Sequence, residues 1–382
     1  MVEDDIGETV FIIADRDISV VQGSTEMFYL TNYFADITKT HVFAPTSQEM
    51  GDARMHSLPF AGAIGTIFLN ILFLPYWLLQ LSNHKPDIVY CYQNVLTPPL
   101  LAKYVFGATV IYDLQSDPCD QAREFSAGST SRTMQLLFAI SERAHSAVLP
   151  RSDLIVTLSK ELEATVIENY GISPSKTHLL PLGVDTDKFD CERTTGNPLV
   201  FTYVGSVHAR RGIAEFVTGL LQVPGEKRSQ VEFHIYGDGD REHINHLREM
   251  CDAAGFTGFQ YHGRVPHDQI PHALQKADVA VSPLPELEAY EVSSPAKIYE
   301  YLAAGLPIVA TSITPHRRIL DDDCAFFVEP IAEQYAATIE EIVDSRDHLT
   351  NKSAAAREIA RHHDWSERFA ELSERIASID AA

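Results

Sequence analysis

The chain has 382 residues, 45% of them hydrophobic and 9% aromatic, enough apolar material for two ordinary domains and too much for a disordered or fibrous protein. Fifty-three acidic residues against 30 basic ones leave a formal charge of −23, which repels nucleic-acid phosphates, so no nucleic-acid partner is expected. Only 10 of the basic residues are lysines, and acidic excess with scarce lysine suits a protein kept soluble in concentrated salt.

The first half alternates strands with helices. VFIIAD (10–15) reads as a strand, Met27–Ile37 as a helix, HVFAP (41–45) as a strand, KPDIVYCY (85–92) as a strand, Pro98–Phe106 as a helix and ATVIYDL (108–114) as a strand. Residues 122–148 carry few helix breakers. DLIVTLS (153–159) opens onto a helix capped by Ser159 and closed by Gly171, and HLLPLGVD (178–185) ends the half. Such alternation implies an α/β protein with a parallel, doubly wound sheet.

Between these strands, residues 60–81 carry no charge over a length sufficient to span a bilayer. A single crossing would put the flanking strands of one sheet on opposite sides of the membrane. Pro75 interrupts the stretch, and Gly62, Thr66 and Asn70 share a small or polar face. The segment therefore reads as a span, as a buried or capping helix pair, or as an interfacial element resting on lipid.

A second alternating series starts at LVFTYVGS (199–206) and continues through a helix from Gly212, VEFHIYGDG (231–239), a helix near 241–254, FQYHGRV (259–265) and a helix to Lys276. DVAVSPL (278–284), the helix Pro295–Ala304, IVATS (308–312) and FFVE (326–329) complete it. The seam falls near Pro181–Thr195, where Pro, Gly and Asp cluster. We place an N-terminal Rossmann-like domain at 1–183, a C-terminal Rossmann-like domain at 184–360 and a final helix at 361–382. That helix puts Trp365, Phe369, Leu372 and Ile376 on one stripe, which must dock on something, since alone it would stay wet. Two tandem Rossmann-like domains hold ligands at the carboxyl ends of their strands, so a cleft between the halves is the expected site.

The cysteines Cys91, Cys119, Cys191, Cys251 and Cys324 are odd in number and free of any CxxC pair, the pattern of a reduced intracellular protein. The opening MVEDDIGETV is acidic where an export signal is basic and then apolar, so a cytoplasmic location is expected.

Candidate ligand groups cluster in the second half. GSVHARRG ends in Arg210 and Arg211 where a helix starts, an arrangement that suits a diphosphate or, more plainly, a solvated turn. Ser294 followed by Pro295 reads as an N-cap and a first helical residue. Lys297 in the first turn opposes the helix dipole unless an anion sits there too. Glu300 lies among Ile298, Tyr299, Tyr301 and Leu302, company in which a carboxylate serves a hydroxyl or a base; its plainer reading is an i, i+3 pair with Lys297. Gly237 and Gly239 in YGDG, and HGRV with Arg264, place glycine at successive strand ends, as an extended nucleotide-like ligand requires.

DLIVTLSKEL, PLGVDTDKF, YVGSVHARRG, IYGDGD, YHGRVPHDQI, DVAVSPL and KIYEYLAAGLPIVAT, in this order and spacing, resemble the retaining nucleotide-sugar glycosyltransferases of family four, which have the two-domain GT-B fold. The resemblance covers nearly the whole chain. It implies that Arg211 grips the donor diphosphate, that Glu300 holds the donor ribose, and that Ser293 and Ser294 face the phosphates and sugar. Two departures stand out. Ser206 occupies the place of a first arginine, so phosphate contact rests more heavily on Arg210 or Arg211. Eight residues before Glu300 stands Val292, so either Glu291 fills the catalytic carboxylate role from a loop one residue longer, or this subgroup dispenses with it. The resemblance further implies an acceptor-binding domain at 1–183, a nucleotide-sugar donor-binding domain at 184–360, a helix at 361–382 packing back on the N-terminal domain, retention of anomeric configuration, and a glycan or lipid-linked acceptor.

In the first half, Gly23 and Ser24 precede a helix and face the expected cleft; the resemblance implies that this loop lies near the donor phosphates and acceptor. No GxGxxG is present, so no dinucleotide cofactor is expected. Asp113, Gln115 and Asp117 follow a strand, where Asp113 or Asp117 polarises the acceptor hydroxyl or, alternatively, Asp117-Pro118 is only a turn. No HExxH or other metal-ligand spacing occurs, and His243 and His246 read as a wet helix face, so a metal-free mechanism is expected. Two rival functions share these features: a nucleotide-sugar epimerase and a non-catalytic nucleotide-sugar-binding subunit.

Overall fold

The structure is a computed structural model and describes residues 7–19, 25–46, 48–59, 68–117, 143–190, 196–287 and 295–380. Short apolar runs without alternation form strands buried along their whole length: β1 (Thr9–Ile13), β4 (Ile88–Tyr92), β5 (Thr109–Leu114) and β6 (Leu154–Thr157). Burial on both faces is the mark of parallel strands covered by helices. With β2 (Lys39–Ala44), β3 (Arg54–Ser57) and β7 (Thr177–Leu179) they form a parallel sheet in the order β3-β2-β1-β4-β5-β6-β7. β3 escapes a reading of hydrophobic pattern because its residues, RMHS, are only half buried and carry no apolar run.

The second sheet holds β8 (Leu199–Val204), β9 (Val231–Tyr236), β10 (Phe259–Gly263), β11 (Val279–Ser282), β12 (Ile308–Thr311) and β13 (Ala325–Val328). Its order is β10-β9-β8-β11-β12-β13, and every pair is parallel. The helix Ile213–Gln222 buries Ile213, Phe216, Val217 and Leu220 in its core. The helix Arg241–Ala253 buries His243 with Ile244 and Leu247, so His243 is not on the wet face expected for it, whereas His246 is exposed.

The chain divides into two compact units, Met1–Pro181 with Ser366–Ala382, and Leu182–Trp365. The seam lies at 181/182, against 183/184 in the sequence reading, and the return lies at 366 instead of 361. The second shift has a hydrogen-bonded cause. Val184 N–H donates to the His363 carbonyl (2.9 Å), Trp365 N–H to the Val184 carbonyl (3.0 Å), and Thr186 N–H to Asp364 Oδ2 (3.0 Å). These bonds hold 363–365 within the second unit. Phe369, Leu372 and Ile376 are buried, and Phe369 meets Tyr33 of the first unit at a ring separation of 5.5 Å.

Over its described part, 60–81 is not one helix. A wide helical turn, Phe68–Leu72, leads into the helix Leu74–His84, which runs past the expected end. Asn70 explains the break: its side chain accepts from Leu96 N–H (2.7 Å) and Thr97 N–H (3.0 Å) and donates to the Asn94 carbonyl (3.0 Å), pinning the turn to the loop after β4. No helix among the described residues is long and apolar enough to cross a membrane. Trp77 anchors the segment, fully buried with its indole N–H on the Leu69 carbonyl (2.9 Å) and its ring against Phe43. Trp77→Ala should lower the unfolding free energy by about 3–5 kcal/mol in a urea melt, and a loss under about 1 kcal/mol would show that this anchor does not hold the segment.

Candidate active site

The strand order of the second sheet reverses between β8 and β11, and ligands of doubly wound sheets sit at the carboxyl ends beside such a reversal. The two strands pair only at Phe201–Val279 and Thr202–Ala280, and beyond that point they part. The freed Val204 N–H is satisfied by the Tyr301 hydroxyl at 2.7 Å. Gly205 follows at φ 140°, Gly237 ends β9 at φ 154°, and Gly212 precedes the next helix at φ 72°.

Glycine is required here by backbone packing. A Cβ on Gly237 would stand 1.8 Å from the Gly205 carbonyl oxygen, one on Gly239 would stand 2.0 Å from that of Val207, and one on Gly212 would stand 1.8 Å from that of Pro283. Gly237 and Gly239, expected against the donor, are thus glycines because the loops after β8 and β9 lie backbone on backbone.

Three charged side chains come together at this point. Arg211 is half-buried, and its Nε donates to Ser206 Oγ at 3.1 Å, so the serine in the unexpected position orients the remaining arginine. Arg210 is exposed, as is Arg264 beyond β10, whereas Arg211 is half-buried. Lys297 reaches over the Tyr203 ring with Nζ 3.9 Å from its centroid, a cation–π contact. Its Nζ is shielded from solvent and has no hydrogen-bond partner among the described residues. Burial, with the Arg211 charge beside it, pulls the Lys297 ammonium down to about 7, while Glu300 acts in the opposite direction.

Glu300 is held from the other side. Lys188 Nζ lies 3.3 Å from His267 Nδ1, and an ammonium offers only hydrogens, so Nδ1 accepts and the Nε2–H donates to Glu300 Oε1 at 2.8 Å. His267 was not singled out from the sequence, because PHDQ carries no signal beyond a turn. His316, buried nearby, donates from Nδ1 to the Thr311 carbonyl (2.8 Å) and accepts from Ser282 Oγ (2.9 Å); burial lowers it to about 4. Pro295 takes the cap position of the helix Ala296–Ala303 and is not its first residue, as had been expected. Glu291, Ser293 and Ser294, like Gly23 and Ser24 of the first unit, lie outside the described residues.

In the first unit the order reverses between β1 and β4. Here the acids are engaged internally. Asp113 accepts from the Tyr90 hydroxyl (2.6 Å) and Gln115 Nε2 (2.9 Å), and the same amide donates to Glu26 Oε2 (2.7 Å). Burial drives both carboxyls upward, and for Glu26 the adjacent Asp113 adds to the shift. Gln93, at a left-handed φ of 48°, accepts from Gln115 N–H (3.0 Å) and donates to the Ser116 carbonyl (3.2 Å), stitching β4 to β5. Asp117 accepts from Asn169 (2.7 Å) and from the Tyr170 hydroxyl (2.7 Å), which ties down the C-terminal end of the helix Lys160–Tyr170. Glu26 escaped the sequence reading because nothing at 26 announces a partner 87 residues on. Cys91, Cys251 and Cys324 are buried free thiols, and no cluster of three or more metal-ligating side chains occurs among the described residues.

Comparison with known proteins fits this geometry. The description "Glycosyltransferase Family 4" matches residues 28–188 and "Glycosyl transferases group 1" matches 198–345, which together span both units. The chain is a glycosyltransferase of family four. It is 22% identical to the putative teichuronic acid biosynthesis glycosyltransferase TuaH of Bacillus subtilis over 72% of this chain and 68% of that one. It is 22% identical to the lipopolysaccharide glucosyltransferase WaaG of Escherichia coli over 78% of each. Its fold matches HepE of Anabaena, solved in complex with UDP, at a TM-score of 0.69 and 15% identity over 97% of this glycosyltransferase and 100% of that chain. The expected GT-B architecture of two Rossmann-like domains is therefore present.

The upward shift of Glu26 has a pH signature. A carboxyl whose folded pKa is raised supports folding below its unfolded value, 4.5 for Glu26, and that support is lost as pH rises toward the folded value. Glu26→Gln keeps the shape without the charge. Its stability relative to the wild-type chain should therefore increase from pH 5 to pH 8 in urea melts, and a constant difference would show that the pair carries no strained charge.

Proposed function

We propose that this glycosyltransferase moves a sugar from a nucleoside diphosphate sugar to a glycan or lipid-linked acceptor, with retention of configuration and without a divalent ion. The observation that carries this reading is the convergence of Arg211 and Lys297 at the strand-order reversal of the second sheet. A departing diphosphate gathers negative charge, which Arg211 on the turn after β8 and Lys297 at the start of the helix Ala296–Ala303 are placed to stabilise. Glu300, oriented by His267, offers a carboxylate oxygen to a donor hydroxyl. Asp113 and Asp117 act as positioning residues, since both oxygens of each already accept hydrogen bonds. The UDP in the HepE structure supports the donor class, and the lipopolysaccharide named for WaaG supports a lipid-linked acceptor.

The helix Leu74–His84 adds a reason for a lipid-linked acceptor. Ile71 is 65% exposed, Leu72 58% and Leu79 55%, with Leu74 and Leu78 beside them, and Tyr104 and Val105 extend the apolar surface. Scattered exposed leucines need no explanation, but this many on one short segment suit peripheral contact with a lipid surface. In an acidic chain the attraction is hydrophobic, so binding to vesicles should persist at high salt. The double variant L78D/L79D should lose flotation with phosphatidylcholine vesicles, and retained flotation would rule out this surface.

Turnover tests the reaction. With a panel of UDP- and GDP-sugars and a lipid-linked acceptor, nucleotide release should depend on the acceptor and survive EDTA; binding without release would leave the non-catalytic reading. Arg211→Ala and Glu300→Ala should each weaken donor binding by about 1–3 kcal/mol in calorimetry, the scale of a lost charge-assisted hydrogen bond, and unchanged affinity in both would remove the site assignment.

A further inference from the structure

Lys297 poses a physical problem. Its ammonium nitrogen is cut off from water, has no hydrogen-bond acceptor among the described residues, and lies at the N-terminal end of a helix, where the backbone is itself positive. It lies close against Gly205, where a Cβ would stand 3.0 Å from Nζ, and over the Tyr203 ring at 3.9 Å from the centroid. Among the described residues, the charged or titratable neighbours come from four elements. From the turn after β8 comes the Arg211 guanidinium, from its own helix the Glu300 carboxylate, from β8 the Tyr203 ring, and from the helix Thr314–Arg317 the His316 imidazole. Glu300 is the anion found there among the described residues, and it already accepts from His267.

We propose that a diphosphate bound at this site is gripped by Lys297 together with Arg211, and that its arrival transfers one proton from solvent onto Lys297 Nζ. This rests on the donor reading above and adds a proton linkage to it. The step is a simple ionisation: bulk water or buffer gives up the proton, the amine lone pair takes it, and no other bond changes. The direction follows from the surroundings. Burial and Arg211 disfavour the charged amine in the empty site, which puts its midpoint at about 7. An added dianion favours the charged form and supplies the missing acceptors, so the midpoint rises on binding. A group bound more tightly by protons in the complex makes affinity fall with pH above the lower midpoint, by about tenfold per pH unit until the upper one. Donor capture is then strongest at and below neutral pH.

The test uses the full chain and UDP, titrated calorimetrically between pH 7.5 and 9 in two buffers of different ionisation heat. The terminal phosphate, with a second pKa of about 6, is already ionised throughout that window. For the wild-type chain, affinity should fall about tenfold from pH 8 to pH 9, with close to one proton taken up per UDP bound. Lys297→Arg, permanently charged, should bind UDP with a flat pH profile and no proton uptake. Lys297→Gln should bind more weakly at pH 7.5 and also show a flat profile. Measurable UDP binding with no pH dependence, or a Lys297→Gln variant that keeps the wild-type slope, would overturn the linkage while leaving the donor reading in place. No binding of UDP, GDP or ADP at any pH would overturn both.

Discussion

Carbonyl oxygens of Gly205, Val207 and Pro283 stand where the side chains of Gly237, Gly239 and Gly212 would begin. This steric constraint draws the loops after β8, β9 and β11 against one another and leaves no space for a larger residue. Its consequence is electrostatic. With Gly205 bare of a side chain, Lys297 settles against the backbone and the Tyr203 ring, and the turn that ends in Gly212 brings Arg211 to the same place. Tyr301 closes the arrangement by satisfying the β8 amide left over where the strands part.

Two cations so placed oppose each other, and a buried ammonium without an acceptor is costly to hold. A fold that keeps such a pair stores a preference for an anion. The charge of −23 on the whole chain makes the point sharper, because lysine is scarce and one of only ten is shielded at a helix start. The acidic surface and the site thus obey different demands: the first keeps the chain solvated, the second waits for a diphosphate. Glu300 is excused from pairing with Lys297 by His267, whose tautomer Lys188 fixes.

Much of this was legible in the sequence. Uninterrupted apolar runs such as VFII and IVYCY revealed parallel strands, and the order of motifs from DLIVTLS to LPIVATS revealed two doubly wound halves. Arg211, Lys297 and Glu300 stood out because each breaks a local rule for helix starts or apolar faces. Other features were hidden because they depend on contacts distant in sequence. His267 meets Glu300, Glu26 meets Asp113, and Asn70 breaks an apolar segment by binding the loop after β4. Gly237 and Gly239 were visible as glycines, but spacing alone cannot tell a glycine that admits a ligand from one that admits a neighbouring backbone. Arg210 and Arg211 are adjacent in sequence, yet the turn sends one to solvent and the other to Ser206.

The central claim is that the second unit captures a nucleoside diphosphate where β8 and β11 part. Hydrogen exchange of the full chain, followed amide by amide with and without a saturating nucleoside diphosphate, tests it most directly. Protection should concentrate at Gly205–Gly212 and at the start of the helix Ala296–Ala303. Protection confined to the first unit, or absent from both of those segments while the nucleotide is bound, would contradict the account.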